Sequence, residues 1–258
     1  MKKMITLFLF SIFLFISVPA GLSHAAGPEY DQAYAVYQNQ GAGAALLLFK
    51  KIVEKTPDPD AMWMLGYIYK NQSNFDTMYA ESAKWYKNYL QFLFVKKEYA
   101  MQDLGEIYMA GGYGVEKDLA QARHYFEKLV ESGWSNKDWS KFPVNNLTIV
   151  MGEQMAGYTK DDADYVKAGK AFVKNKPKDA LAPLKQSAEY KNPDAMEVLG
   201  TMYKYGIGVK QDYSEAGSWF RKAAEKELPY SMLNMGKLYE KGNGVTQDDA
   251  IAREWYKK

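Results

Sequence analysis

The sequence contains no cysteine and only two histidines. Without cysteine the chain cannot form a disulfide even in an oxidising compartment, so its stability must come from packing. Zinc and copper sites are usually built from cysteine and histidine, so a chain with no cysteine and two histidines is nearly excluded from having such a site. A nucleophile–histidine pair would have to use His124, because His24 lies in the leader described below. No Ser-x-x-Lys motif occurs, which argues against a penicillin-recognising serine site.

An excess of basic charge is also lacking. The chain has 33 Lys and Arg against 31 Asp and Glu, and removal of Lys2 and Lys3 with the leader would balance the two. Nucleic acids and anionic membranes are bound largely by neutralising their phosphates, which requires a basic surplus. The composition therefore predicts neither a nucleic-acid partner nor a membrane-surface partner.

The N-terminus has the three parts of a secretory signal. Two lysines precede an apolar run of 15 residues, 4–18, and Ser23 and Ala25 supply small residues at the −3 and −1 positions. The run is shorter than the roughly 18 residues that a membrane span needs, although an uncleaved anchor is the alternative. We expect cleavage before Ala26, giving a periplasmic or secreted protein with no membrane span and no lipidated cysteine.

One pattern recurs around four glycines, Gly66, Gly105, Gly200 and Gly236. Met stands four residues before each glycine, Leu or Met one before, and Tyr three after. These offsets form one stripe at a period of 3.6, so each copy predicts an amphipathic helix, called helix A here. Glycine inside a helix costs about 1 kcal/mol relative to alanine. Its recurrence predicts that a neighbouring helix comes too close there for a Cβ.

In the three copies after the first, helix A is followed by a Gly-x-Gly-Val loop. Glycine ends a helix by adopting positive φ, and the aspartate after each loop is suited to cap a second helix, helix B. Because the loops lack a third glycine and follow a helix, they do not indicate a phosphate site. The loops are 112–115, 206–209 and 242–245, and the aspartates are Asp118, Asp212 and Asp248.

The pattern Ala-x-x-x-Leu-Gly-x-x-Tyr, Gly-x-Gly-Val, Asp, Ala, Trp-Tyr/Phe, Lys-Ala-Ala resembles the Sel-one-like repeat (SLR) family, which is related to tetratricopeptide repeats. Residues 195–224 match throughout, 231–258 and 100–128 nearly as well, and 61–86 lacks only the loop glycines. The resemblance implies an all-α, right-handed α-solenoid of about six antiparallel helix pairs.

The weaker units complete the expected organisation. Helix pairs are predicted from Tyr30 and from Tyr165 onward, and Gly152 marks a candidate helix A between the two halves. We expect four segments: the leader 1–25, N-terminal repeats 26–134, an irregular insertion or degenerate repeat 135–162, and C-terminal repeats 163–258.

The resemblance implies a protein-binding module without cofactor, metal or catalytic residues. In tetratricopeptide-like solenoids the side of helix A opposite its buried stripe lines the concave surface, so this side is the candidate partner face. Exposed Trp and Tyr would anchor a partner there, unless Trp63 is covered by the preceding helix pair. The candidate partner-binding residues are Trp63, Tyr67, Lys70, Glu106, Glu197, Thr201, Lys204, Leu233 and Lys237.

The expected partner is another protein in the bacterial cell envelope, with this chain as its adaptor or regulator. Some exported SLR proteins neutralise antibacterial phospholipase effectors, so a sharper expectation is an immunity protein that blocks a periplasmic toxin. The alternative from a different class is a cell-wall-related hydrolase or β-lactamase-like enzyme. A second candidate surface is the C-terminal end, where Trp255 and Tyr256 are expected to be partly uncovered and a homodimer is an alternative.

Overall fold

The computed structural model describes residues 27–71, 78–92, 97–112, 114–133, 142–157 and 162–258. The predicted leader lies outside these ranges, as do 135–141 and 158–161 of the predicted insertion. Within them the chain forms 13 α-helices and no β-strand. The helices are α1 (Pro28–Gln40), α2 (Ala42–Lys55), α3 (Pro59–Asn71), α4 (Met78–Tyr89), α5 (Glu98–Ala110), α6 (Leu119–Glu131), α7 (Phe142–Ala156), α8 (Ala163–Val173), α9 (Pro177–Glu189), α10 (Pro193–Tyr205), α11 (Tyr213–Ala224), α12 (Pro229–Lys241) and α13 (Asp249–Lys257).

Twelve of these helices form six pairs in the predicted A–B order, and successive pairs pack together, directly or through α7, to give an all-α solenoid, as predicted. The pairs are α1–α2, α3–α4, α5–α6, α8–α9, α10–α11 and α12–α13. The remaining helix, α7, lies between the third and fourth pairs and packs against both α6 and α8. None of the helices described is both long and apolar enough to cross a lipid bilayer.

The recurring glycine of helix A lies directly under an aromatic ring of helix B. A Cβ added to Gly200 would stand 2.7 Å from the ring of Phe220, closer than real Cβ contacts come. The same pairing occurs in four repeats, which confirms the predicted close approach and identifies the neighbour as the second aromatic of helix B. The pairs are Gly66 with Tyr86, Gly105 with Phe126, Gly200 with Phe220 and Gly236 with Tyr256.

The predicted capping aspartates are confirmed. Asp118, Asp212 and Asp248 each accept hydrogen bonds from two backbone N–H groups at the start of helix B, which satisfies donors that the helix itself leaves unpaired. The loop predicted to start at residue 112 starts at Gly111 in the structure, so the predicted start is one residue too late. Helix α5 ends at Ala110, and Gly111 takes the capping position with φ of 65°.

The helix in the predicted insertion, α7, crosses α8 through glycines on both helices. A Cβ on Gly152 would stand 2.7 Å from the backbone nitrogen of Val173, and one on Gly169 would stand 2.9 Å from that of Ala156. Backbone atoms cannot move aside as a side chain does, so both positions need glycine at this distance. Gly169 therefore faces the preceding helix, whereas the glycines of the four clear repeats face their own helix B, and α7 interrupts the regular A–B alternation.

The apolar core consists of three successive clusters along the solenoid, and α6 contributes to two of them. Tyr125 and Leu129 belong to the core shared with the N-terminal helices, whereas Ala122 and Phe126 pack toward α7 and the C-terminal repeats. The remaining side of α6 is polar and faces α10 and α12. That side forms the largest group of long-range polar contacts in the part of the chain described.

Candidate functional site

Helix α6 lies across the A helices of the C-terminal repeats and is bonded to them by charged side chains. Arg123 donates to the carboxylates of Glu127 at 2.9 Å and Glu197 at 3.2 Å, and to the hydroxyl of Thr201 at 3.2 Å. Tyr230 of α12 donates its hydroxyl to Glu127, and the Arg123 guanidinium lies 4.1 Å from the centre of the Tyr230 ring. Each buried carboxylate is thus matched by Arg123 or by a hydroxyl.

A second group forms one turn further along α6. Lys204 donates to Glu131 and to Asn234, both at 2.8 Å, and the hydroxyl of Tyr205 donates to Glu131 at 2.9 Å. Lys237 reaches the same Glu131 oxygen at 3.4 Å. We call the two groups together the polar bridge: Arg123, Glu127 and Glu131 on α6 with their partners on α10 and α12.

Burial and charge pairing set the protonation of the polar bridge. Burial alone would raise the pKa of Glu131, but Lys204 and Lys237 lower it to about 2. Burial raises the pKa of Glu197 more than Arg123 lowers it. Burial would lower the pKa of Arg123, but Tyr230, Glu127 and Glu197 raise it well above its ordinary value. Arg123 is therefore positively charged at neutral pH, as arginine ordinarily is.

The polar bridge covers much of the partner face predicted for the C-terminal repeats. Thr201 is fully buried, and Lys204 is 7% exposed. The side chains of Glu197, Thr201 and Lys204 all form hydrogen bonds with α6. The expectation that helix A presents an open concave side is therefore wrong for these three residues. Leu233, 43% exposed, and Lys237 lie at the edge, where α6 no longer covers α12.

In the N-terminal repeats the corresponding side of helix A carries aromatic rings. Trp63 is only 7% exposed, which agrees with the alternative that this side chain is covered rather than open to a partner. Its ring stacks on the ring of Tyr67, with ring centres 5.4 Å apart. The Tyr67 ring meets the edge of Tyr37 at 6.5 Å, and Tyr37 stacks with Tyr34 at 6.1 Å. Burial and the hydrogen-bonded Tyr67 raise the pKa of Tyr37 to about 12. Trp63 is thus a buried residue that packs against the half-buried Tyr67.

Polar residues continue this surface onto α5. Lys70 pairs with Asp103 and, at 2.6 Å, with Glu106, while Gln102 donates to Glu106 at 3.1 Å. Burial alone would lower the pKa of Lys70, but the two carboxylates raise it. Lys70 is thereby held in place rather than free for a partner. We call the half-buried side chains of this surface the N-terminal strip: Tyr34, Tyr37, Tyr67, Gln102 and Glu106.

The structure thus divides the nine predicted partner-binding residues into two groups. Trp63, Tyr67, Lys70 and Glu106 come together in or beneath the N-terminal strip, whose contacts join the A helices α1, α3 and α5. The residues that meet α6 or lie beside it are Glu197, Thr201, Lys204, Leu233 and Lys237. Sequence reasoning missed Arg123, Glu127 and Glu131 of helix B, although their spacing of four residues places all three on one helix face.

Residues for metal or acid–base chemistry are sparse in the described chain. No group of three or more His, Cys, Asp or Glu side chains there is arranged to hold a metal ion. His124 is exposed on α6 and touches Tyr125 edge-on, with ring centres 5.4 Å apart. Burial first, then Lys128 and more weakly Lys237, lower the pKa of His124, which favours the neutral ring.

Solved structures similar to this chain include two repeat proteins. One is a protective antigen present in uropathogenic Escherichia coli strains and displaying an SLR fold, at 25% identity and a TM-score of 0.37. That similarity covers 89% of this chain but 44% of the antigen, so the chain spans less than half of the antigen's length. The other is a Sel1 repeat protein from Oxalobacter formigenes, at 25% identity and a TM-score of 0.35, covering 88% of this chain and 82% of that one. No curated protein matches the chain.

The family model described as the Sel1 repeat matches residues 59–87, 98–134, 193–228 and 229–258, together just over half of the chain. These matches coincide with α3–α4, α5–α6, α10–α11 and α12–α13, the pairs in which helix B lays its aromatic over the helix-A glycine. The chain therefore belongs to the Sel1 repeat family, whose members are generally protein–protein interaction modules.

Proposed function

We propose that the chain is a non-enzymatic adaptor or regulator that binds a protein partner through the N-terminal strip. The observation that supports this most directly is the contrast between the two halves. The C-terminal A helices are covered by α6, whereas the strip contacts join only A helices of successive repeats. Half-buried tyrosines beside hydrogen-bonding groups are the side chains that anchor protein partners at low entropic cost.

The proposed location is the bacterial envelope, either the periplasm or the exterior, and this rests on the signal-like N-terminal sequence. Within it, the sharper proposal is an immunity protein that neutralises a periplasmic toxin such as a phospholipase effector. Neutralising a toxin requires a preformed surface of matched shape and polarity rather than reacting groups. The strip fits that requirement because Lys70, Glu106 and the stacked rings hold one another in place.

The test is a capture experiment from envelope extracts with tagged protein. Trp63 is too buried for a clean substitution, so the strip is altered by Tyr37→Ala with Tyr67→Ala, and circular dichroism checks that the helices remain. The matched control is Tyr190→Ala, which removes a 74% exposed tyrosine outside the strip. We expect a partner that is retained by the wild type and the control and lost by the double variant. Retention of that partner by a folded double variant would contradict the strip as the binding surface.

The enzyme alternative has its own assay. Purified protein is incubated with a chromogenic β-lactam and with peptidoglycan, beside a His124→Ala variant. We expect no turnover above buffer from either protein. Turnover that copurifies with the protein would overturn the adaptor proposal, and its persistence in His124→Ala would exclude the histidine as its source.

A further inference from the structure

A cleft of about 520 Å³ opens at one end of the polar bridge, between α6, α7, α10 and α12. Its floor is part of the bridge: Arg123, Glu127, Glu197 and Tyr230. Its rim is different in character, with His124, Lys128, Leu233 and Lys237. A volume of this size is in the range of sites that hold a small ligand or a few side chains.

The charged groups of the floor are hydrogen-bonded to one another, with one guanidinium between two carboxylates. Arg123 is shared between Glu127 and Glu197, and Tyr230 supplies a further hydrogen bond to Glu127. Both floor carboxylates are therefore hydrogen-bonded, and the two lysines of the rim outweigh the single negative charge that the floor carries in excess. Their matched geometry also makes the floor rigid, so the ligand preference of the cleft is decided at the rim.

The rim carries positive charge without a matching set of carboxylates. The Lys128 side chain is exposed, and its ammonium group forms no ion pair or hydrogen bond with any residue in the described ranges. Lys237 reaches Glu131 only at 3.4 Å, and Lys204 holds that carboxylate more closely at 2.8 Å. The mouth of the cleft therefore has one ammonium group without an ion pair, on Lys128, and a second, on Lys237, that shares Glu131 with Lys204.

The pKa of His124 depends on the charged groups around the cleft. Burial lowers the pKa of His124 most and Lys128 lowers it next; Glu127 opposes them, Lys237 lowers the pKa less than Glu127 raises it, and Glu131 opposes least. An added carboxylate at the rim would oppose both lysines and favour the charged imidazolium. Ligand binding would then take up a proton. The titratable and charged groups around the cleft are Arg123, Glu127, Lys128 and Glu131 on α6, Glu197 on α10, and Tyr230 and Lys237 on α12.

The rim also has an apolar contact. Leu233 of α12 is 43% exposed and lies beside Lys237 along the same helix. A large aliphatic side chain next to cationic groups fits a ligand that combines carboxylates with an aliphatic group. A free inorganic anion would leave Leu233 in water.

We propose that this cleft binds an acidic segment of a protein partner, with a carboxylate between Lys128 and Lys237 beside His124 and a neighbouring aliphatic side chain on Leu233. The inference rests on the proposed function, since it assumes a protein partner. It adds a second contact, separate from the N-terminal strip, and states the charge of the partner segment that fits there.

The test uses three blocked peptides and the full chain. The probe is acetyl-Glu-Leu-Glu-amide, and the comparison peptides are acetyl-Gln-Leu-Gln-amide and acetyl-Glu-Gly-Glu-amide. The His124 ring signals are followed by NMR and assigned by their loss in His124→Gln. We expect the probe to move the titration midpoint of His124 upward and to bind more tightly at pH 6 than at pH 8. The glutamine peptide should bind roughly tenfold more weakly, because it lacks both charges.

Variants locate the site. Lys128→Gln should weaken binding of the probe about two- to fivefold, the range of an exposed ion pair. Leu233→Ser should remove the difference between the leucine and glycine peptides. The matched control is Lys210→Gln, an exposed lysine after α10 that is away from the cleft, and it should bind as the wild type does.

Three results would overturn the inference. The first is equal binding of the glutamate and glutamine peptides, and the second is an unchanged His124 midpoint at saturation. The third is displacement of the probe by an equal concentration of inorganic phosphate, which would identify a free-anion site. Failure here leaves the strip proposal standing if capture still depends on Tyr37 and Tyr67. If the peptides bind as expected but capture of the partner does not depend on Tyr37 and Tyr67, only the strip proposal is contradicted.

Discussion

Replacement of Arg123 by methionine tests whether the polar bridge joins the two halves of the solenoid. The Arg123 side chain is 12% exposed, and its partners Glu127 and Glu197 are 8% and 13% exposed. Methionine keeps much of the aliphatic stem over the Tyr230 ring but removes the charge. Two carboxylates would then be left buried beside each other without a cation.

The magnitude follows from that stranded charge. Removing one partner of a buried ion pair costs about 3–5 kcal/mol, mostly because the other remains desolvated and unpaired. In a chain of this size each kcal/mol lowers Tm by about 2–4 °C, so Arg123→Met should melt roughly 6–20 °C below the wild type. Its remaining stability should rise as pH falls toward 5, because protonation removes the stranded charges.

The assay is urea denaturation followed by circular dichroism, with a rescue variant. Arg123→Met combined with Glu127→Gln and Glu197→Gln removes all three charges, and it should recover most of the lost free energy of unfolding. The control is Lys84→Met, which breaks an exposed pair with Glu81 at 3.8 Å and should change stability by less than about 1 kcal/mol. A single variant within about 0.5 kcal/mol of the wild type would refute the reasoning, as would a triple variant no more stable than the single one.

Three further predictions concern stability. The pKa of Glu131 is about 2 in the folded chain against an ordinary 4.5. Its stabilisation is therefore complete above pH 4.5 and is lost as pH falls toward 2. Glu131→Gln should cost about 2 kcal/mol at pH 7, after allowance for its partial exposure, and the deficit should disappear in acid denaturation curves; a deficit independent of pH would contradict this. Gly200→Ala should cost about 1–3 kcal/mol in urea because the fully buried Phe220 cannot move aside, whereas Gly43→Ala in open space should stabilise by up to about 1 kcal/mol; equal effects would remove the packing argument. Asp212→Ala should lower the free energy of unfolding by about 1 kcal/mol and Asp212→Asn by much less, since asparagine also caps; similar losses for both would mean that the cap is not the cause.

Much of the local structure was predictable because it depends on short separations in the sequence. The helix-A glycine and the aromatic that covers it are about 20 residues apart, within a single helix pair. The aspartate caps act over two or three residues. Periodicity, a glycine and a capping residue are therefore enough to place both helices of a repeat and the ring between them.

The extra helix α7 was only partly predictable. Gly152 marks a candidate helix A, but the sequence assigns its helix to an irregular insertion or a degenerate repeat. Gly152 and Gly169 meet each other across α7 and α8, and nothing in the spacing of a single repeat predicts that contact. An additional helix changes which surface each later helix meets.

The sequence alone determined that this chain is a Sel1-like solenoid, and which side of each helix A is apolar. Only the tertiary structure decided what covers the other side. Lys70 and Lys204 occupy the same offset in their repeats, yet Lys70 pairs with the next A helix and Lys204 pairs with Glu131, 73 residues earlier. The physical reason is that Arg123, Glu127 and Glu131 look like ordinary solvated charges of a surface helix. Their partners follow from the packing of α6 against α10 and α12, which brings together residues 73 to 106 positions apart in the sequence.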